Sequence, residues 1–252
     1  MAVHYEVGRA IATITLDSPE NRNALSAALV SAAHDHLRTA AGDDAVRAVV
    51  ITHTGGTFCA GADLKEQATE GGPAEGTRRM LELLRALVEL PKPVVARVDG
   101  NVRAGGIGLI GACDIVIAGP ATTFAFTEVR LGLAPAIISL TTLGRMTERA
   151  VSRYYLTGEA FDATAAVQAG LVTSAVDDTA AATDEICELL RHCSPQGLAE
   201  TKPLTTARAR AAFDENAADL QAMSQRLFES DEAREGILAF LQKRPPRWAP
   251  GR

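Results

Sequence analysis

Two glycine-dense turns and one glutamate hold the residue types that could do chemistry in this 252-residue chain. The first turn lies in Thr54-Gly55-Gly56-Thr57-Phe58-Cys59-Ala60-Gly61-Ala62-Asp63-Leu64-Lys65. The second lies in Asp99-Gly100-Asn101-Val102-Arg103-Ala104-Gly105-Gly106-Ile107-Gly108-Leu109-Ile110-Gly111-Ala112-Cys113-Asp114. Each reads as a strand, a turn and a helix start. Backbone N–H groups at a helix start point outward and attract negative charge. Ala62 in the first unit and Gly105 in the second carry such donors. If the two converge on one carbonyl oxygen they make an oxyanion hole, worth ~3 kcal/mol per donor. The alternative is two tight turns satisfied by water. Glu128, which follows Phe124-Ala125-Phe126-Thr127, is the carboxylate that could move protons beside them.

Other chemistries find no support. Gly106-Ile107-Gly108-Leu109-Ile110-Gly111 matches Gly-x-Gly-x-x-Gly, but Asp99 to Gly105 separates it from the preceding strand. A new strand at Asp114 leaves room for only about two helical turns, too few for a dinucleotide fold. There is no Gly-Lys-Ser/Thr loop, no Gly-x-Ser-x-Gly elbow and no His-Glu-x-x-His. His34 and His36 stand two apart on a helix and point to different faces, so no metal site is expected. His53 ends a strand. Asp43-Asp44 and Asp177-Asp178 read as turn or cap residues.

These groups need a scaffold. Tyr5 to Leu16 reads as a hairpin with Gly8 in its turn. A polar loop, Asp17 to Asn23, leads to Ser26, which caps a helix ending near Gly42. Val46 to Thr52 and Val94 to Val98 are buried strands. Between them, Gln67 to Gly76 reads as a mobile loop and Thr77 to Leu90 as an amphipathic helix. Asp114 to Ala118 is a further strand, and a helix is expected from Ser139. Arg149 to Leu156 and Ala163 to Ala169 read as helices, and Leu171 to Val176 as a last strand. From Asp177 to Gln242 the pattern is helical, with breaks at Pro195 and Pro203. The unit strand, glycine turn, helix, strand occurs at least twice, which suggests a stacked or spiral α/β core. A composition shift near residue 194 divides a core, 1–193, from a helical C-terminal region, 194–252.

Composition limits the partners. Net charge is −6, from 31 acidic and 25 basic side chains, which argues against nucleic acid. Aromatics are 4%, so Ala, Val, Leu and Ile must build the core. The four cysteines lack Cys-x-x-Cys spacing and read as buried free thiols. No apolar run reaches the ~18 residues that span a bilayer. The N-terminus shows no basic flank before an apolar stretch. A soluble cytoplasmic protein without membrane contact is expected.

Phe58 to Lys65, and Gly105-Gly106-x-Gly108-Leu109 with Cys113-Asp114, together resemble the crotonase superfamily (enoyl-CoA hydratase/isomerase). Pro19-Glu20-Asn21-Arg22-Asn23-Ala24-Leu25, Glu128 to Pro135, Leu156-Thr157-Gly158 and Ala169-Gly170-Leu171-Val172 extend the resemblance over the whole chain. It implies a spiral of β-β-α units, a helical C-terminal trimerisation region (a homotrimer or a dimer of trimers) and acyl-CoA thioester substrates. Coenzyme A would be part of the substrate, with no separate cofactor. By matching positions, Ala62 and Gly105 would form the oxyanion hole. Ala60, Ala62 and Leu64 would face the adenine. Arg22, Ala24 and Lys65 would line the nucleotide end, with Phe240 and Lys243 reaching it from the C-terminus, and Asp63 would also be a substrate-binding residue. Residues 67–76 and the helix after them would shape the acyl pocket, at whose active end Gly108 stands.

The resemblance also exposes a departure. Hydratases of this family carry a first glutamate in a Gly-Gly-x-Glu-Leu pattern, and here that position is Gly108. The second, Glu128, is kept. Burial among Phe124, Phe126 and Leu131 would raise its pKa towards neutrality. One carboxylate, helped by a backbone carbonyl or a hydroxyl such as Ser139, would serve a hydratase. The stretch Glu128 to Ser139 resembles methylglutaconyl-CoA hydratases, which favours that reading. A double-bond isomerase using Glu128 alone, or a non-catalytic CoA-binding homologue, are the alternatives.

Overall fold

The chain's β-branched runs become the strands of two sheets. The computed structural model describes residues 2–67 and 72–250. The strands are β1 (Val3–Gly8), β2 (Ile11–Leu16), β3 (Ala48–His53), β4 (Thr57–Cys59), β5 (Val94–Val98), β6 (Asn101–Arg103), β7 (Ile115–Ala118), β8 (Thr123–Ala125), β9 (Phe161–Asp162) and β10 (Ser174–Ala175). One sheet has the order β1-β2-β3-β5-β7-β10 and the other β4-β6-β8-β9. Pairing is parallel from β2 to β10 and from β4 to β8, and antiparallel in β1/β2 and β8/β9.

The helices are α1 (Ala27–Gly42), α2 (Leu64–Gln67), α3 (Gly72–Glu89), α4 (Gly105–Ala112), α5 (Ala136–Thr142), α6 (Glu148–Thr157), α7 (Ala163–Ala169), α8 (Thr179–Arg191), α9 (Pro195–Thr205), α10 (Ala207–Phe228) and α11 (Asp231–Leu241). One strand of each sheet followed by helix recurs three times: β3, β4, α2 and α3; β5, β6 and α4; β7, β8 and α5. The spiral expected from two copies therefore has three. Parallel strands buried on both faces explain the continuous apolar runs of β3 and β5.

Several local readings change. The hairpin turn is made by Arg9 and Ala10, at φ 47° and 62°, while Gly8 pairs with Ile11 as the last residue of β1. Two residues of positive φ form the primed turn that the strand twist demands. Within the expected loop 67–76, residues 68–71 lie outside the described residues. Gln67 ends α2, and α3 already starts at Gly72. Pro203 lies inside α9, near its end, instead of breaking it, and Pro195 occupies the first turn.

The C-terminal helices pack onto the core. Ser194 caps α9, its hydroxyl accepting from Gly197 N at 3.0 Å. Lys202 of α9 is 4% exposed, and its ammonium donates to Asp114 Oδ2 at 2.7 Å and to the Leu87 and Lys92 carbonyls. Helix α10 lies against α3 and α5, and α11 lies against the 3-10 turn Glu128–Leu131.

Candidate active site

The polar loop after β2 is held against the first glycine turn by one side chain. Asn23 is fully buried, and its amide donates to the carbonyls of Thr54 and Thr57 at 3.1 and 2.8 Å. Ala60 N then donates to Arg22 O, and Leu25 N to Gly61 O. Arg22 and Ala24 are thereby fixed beside Ala60 and Ala62. Asp63 Oδ1 accepts from Lys65 N at 3.0 Å and so starts α2. The expected first-turn aspartate is a helix cap.

The two turns abut. A methyl group added to Gly61, whose φ is +90°, would stand 3.3 Å from Gly105 N. One added to Gly105 would stand 3.6 Å from Gly61 Cα. Among the described residues, neither Ala62 N nor Gly105 N donates to an acceptor within the chain. The peptide carrying the Gly105 N–H is aimed by Ala104, at φ 46° and ψ −119°. An L-residue held there costs roughly 1–3 kcal/mol, a strain that persists only where the surroundings enforce it. Helix α4 is packed on all sides, every residue after Gly105 being buried, and Ala104 N is tied to Ala125 O at 3.1 Å.

Glu128 opens the 3-10 turn that follows β8. It lines the same cavity, about 620 Å³ in volume, as Ala62 and Gly105. Its Oε2 is buried and has no hydrogen-bond partner among the described residues. Burial raises its pKa to about 7, against a smaller lowering by its own backbone N–H. Phe124 and Phe126 are fully buried under this turn, and Tyr155 lies 4.4 Å from Phe126, ring centroid to ring centroid. The Tyr155 hydroxyl is paired with Thr142 Oγ1 at 2.5 Å. The half-buried residue thus combines an open side towards the cavity with a dry oxygen behind.

Arg22, Ala24, Ala60, Asp63, Leu64, Lys65 and Phe240 line the cavity with these three groups. Gly108 and Lys243 do not. Gly108 is covered: a Cβ there would stand 2.5 Å from Ile138 Cγ2 and 3.2 Å from Met80 Cε. Ile138 fills the space into which a longer side chain would project. Lys243 is exposed just past the end of α11, at φ 54°. The basic residue beside it, Arg244, forks onto Glu235 at 2.7 and 3.0 Å. Ser139 is also absent from the lining, because α5 starts at Ala136 and the Ser139 hydroxyl donates to Ala136 O at 2.6 Å.

Thr77 and Met80, on the helix expected to shape the acyl pocket, do line the cavity, whereas sequence reasoning missed Ile138 and Ser224. Thr77 and Met80 are three apart on α3 and so share a face. Among the described residues no group of three His, Cys, Asp or Glu side chains is placed to hold a metal ion. No described helix is long and apolar enough to cross a membrane.

Known proteins resemble this chain in sequence and fold. Residues 6–251 match the family Enoyl-CoA hydratase/isomerase. A solved enoyl-CoA hydratase from Mycobacterium avium is similar at 54% identity and a TM-score of 0.92, over 98% of this chain and 99% of that one. The 2,3-dehydroadipyl-CoA hydratase of Escherichia coli is 32% identical over 92% of both chains. The 1,2-epoxyphenylacetyl-CoA isomerase of Escherichia coli is 33% identical over 97% of this chain and 96% of its own.

Proposed function

The chain belongs to the enoyl-CoA hydratase/isomerase family, and from that premise we propose that it adds water to the 2,3-double bond of an acyl-CoA thioester. The observation that carries this is the buried, unpartnered Glu128 oxygen in one cavity with two unused N–H groups. The thioester oxygen accepts from Ala62 and Gly105. As charge develops on it, the two donors strengthen, each contributing ~3 kcal/mol. Glu128 takes a proton from water, and the water oxygen bonds to C3. The double-bond electrons pass through C2 to the thioester oxygen, giving an enolate. The carboxyl then returns its proton to C2 as the enolate collapses. A carboxyl with a pKa near 7 does both halves well, because near neutral pH both of its forms are populated.

A second reading, an isomerase, is favoured by Ile138 over Gly108. Where a second carboxylate would hold the water, the wall is apolar. Isomerisation needs Glu128 alone: it removes a proton from C2 of a 3-enoyl thioester and returns it to C4. Crotonyl-CoA, a 3-enoyl-CoA and methylglutaconyl-CoA assayed in deuterium oxide separate the two. Hydration gives a 3-hydroxyacyl product with deuterium at C2. Isomerisation converts the 3-enoyl substrate and adds no water. Neither product, with acyl-CoA still bound, would reduce the chain to a binding protein. The same proposal includes a homotrimer or dimer of trimers, for which the exposed Leu156, Leu189 and Leu204 supply apolar surface, and light scattering reads the mass directly.

A further inference from the structure

Thr77 on α3 and Ser224 on α10 meet in the cavity wall, both under 9% exposed. Their hydroxyl oxygens are 3.3 Å apart, against a usual O–H···O distance near 2.8 Å. Helical hydroxyls ordinarily donate back to the carbonyl four residues earlier. Thr142, Ser152, Thr157, Thr183 and Thr206 all do so. Thr77 and Ser224 do not: among the described residues, each has the other as its hydrogen-bond partner and no second one. One hydroxyl can donate to the other, which leaves one O–H and spare lone pairs facing a cavity. Gln67, which also lines the cavity, has its amide against Gly76, the residue before Thr77, and among the described residues its buried Oε1 has no partner. The surrounding wall, with Leu25, Val30, Met80, Leu227 and Phe228, is apolar.

Position along the cavity gives this polar spot a meaning. Met80 Cε is 3.5 Å from the Cβ position of Gly105, beside the proposed oxyanion hole. Thr77 lies one helical turn further along the same face, about 5 Å away. An acyl chain leaving the oxyanion turn passes Met80 before it reaches the hydroxyls. We propose that Thr77 and Ser224, with Gln67, receive a neutral oxygen function, a hydroxyl, on the distal part of the acyl group. A carboxylate is disfavoured, because among the described residues no hydrogen bond joins any of the three side chains to a charged group, and an ion desolvated there would lack a counter-charge. The inference rests on the acyl-CoA reading above and names the substrate class within it.

Binding of saturated acyl-CoA probes tests it independently of turnover. Hexanoyl-CoA and octanoyl-CoA are titrated calorimetrically against 6-hydroxyhexanoyl-CoA, 8-hydroxyoctanoyl-CoA and adipyl-CoA. At one of the two lengths the hydroxylated probe binds at least tenfold tighter than its parent. T77V and S224A each bring the Kd of the hydroxylated probe to within twofold of that of its parent on the same variant. Equal binding of each hydroxylated probe and its parent to the wild-type protein overturns the proposal. So does a preference for adipyl-CoA, or a hydroxyl preference that survives both variants. A hydroxyl preference in a protein that turns over no enoyl-CoA would sink the hydratase reading and leave this one standing. Absence of binding by every probe sinks both.

Discussion

Two glutamates on elements that pack against each other are treated in opposite ways. Glu235 of α11 is 7% exposed, receives both arms of the Arg244 guanidinium, and accepts from Arg247 N at 2.9 Å. Those hydrogen bonds, led by that from Arg244, hold its pKa near 2. Glu128 sits on the turn against which α11 packs, yet its Oε2 has no partner among the described residues, and burial lifts its pKa to about 7. Folding ordinarily compensates a buried carboxylate, since leaving it bare costs free energy. Glu235 has the compensated form and closes the C-terminus over the core. Glu128 has the uncompensated form, the one that the proposed proton transfer requires. Perturbed carboxylates occur in both ion-pair networks and active sites, and the two shifts here have opposite signs.

The comparison is broken most directly by substituting the two glutamates in turn. E128Q keeps the shape and removes the base, and is expected to lower kcat by roughly 10²–10⁴-fold. E235Q keeps an uncharged partner for Arg244 and is expected to change kcat less than threefold. Steady-state rates on the substrate identified in deuterium oxide read both. If E235Q lost as much as E128Q, the division between a catalytic and a structural glutamate would be wrong.

A smaller effect tests whether α11 positions the catalytic turn. Gly236 lies next to Glu235 in the chain, and a Cβ there would stand 2.5 Å from the Leu131 carbonyl carbon and oxygen. Gly132, at φ +73°, faces Glu232 backbone at 2.7 Å in the same way. Glycine is required on both sides because backbone meets backbone. G236A must push the helix or the turn, and is expected to cost about 1–3 kcal/mol of stability as overpacking. A displacement of the Glu128 turn by about 1 Å would lower kcat by ~10²-fold. G144A, whose new methyl meets only Arg208 Cβ at 3.6 Å, is the control and should leave both unchanged. An equal loss in G144A, or an unaffected kcat in a G236A protein that folds, would show that α11 covers the turn without setting its position.

The sequence was most legible where one local signal sufficed. Ser26 caps α1, with its hydroxyl accepting from Leu29 N, and the bounds of β5 and α7 follow from Pro93, from the β-branched run and from Gly170. Ala62 and Gly105 could be named as donors because a helix start always leaves N–H groups over. That the two turns abut could not be read, since it depends on Gly61 meeting Gly105 across neighbouring strands. The missing first carboxylate was visible at Gly108, but what replaced it was not. Ile138 is thirty residues away, and only packing of α5 on α4 brings it there. Ser139 misled because the helix starts one turn earlier than its polar residue suggests. The pair Thr77 and Ser224, 147 residues apart, carries no sequence signal at all.

The smallest effect concerns stability and pH, and it runs through the same unpaired oxygen. A carboxyl raised from its ordinary value of 4.5 to about 7 in the folded protein binds its proton more tightly there than when unfolded. Its contribution is fully present below the unfolded pKa and is lost as pH rises through the folded one. Wild-type protein therefore loses stability between about pH 4.5 and 7 on account of Glu128, by an amount on the order of 1–3 kcal/mol, reduced where cavity water screens the charge. E128Q has no such charge to bury. Its Tm relative to wild type should rise as pH passes from 5 to 8, by several degrees at about 2–4 °C per kcal/mol for a chain of this size. The paired glutamate responds in the other direction: its stabilisation is present above the unfolded pKa and is lost as pH falls towards about 2. Thermal melts of wild type, E128Q and E235Q from pH 3 to pH 9 therefore separate the two carboxyls by the sign of their slopes. A wild-type minus E128Q difference that does not change between pH 5 and 8 would mean that Glu128 finds a partner in solution.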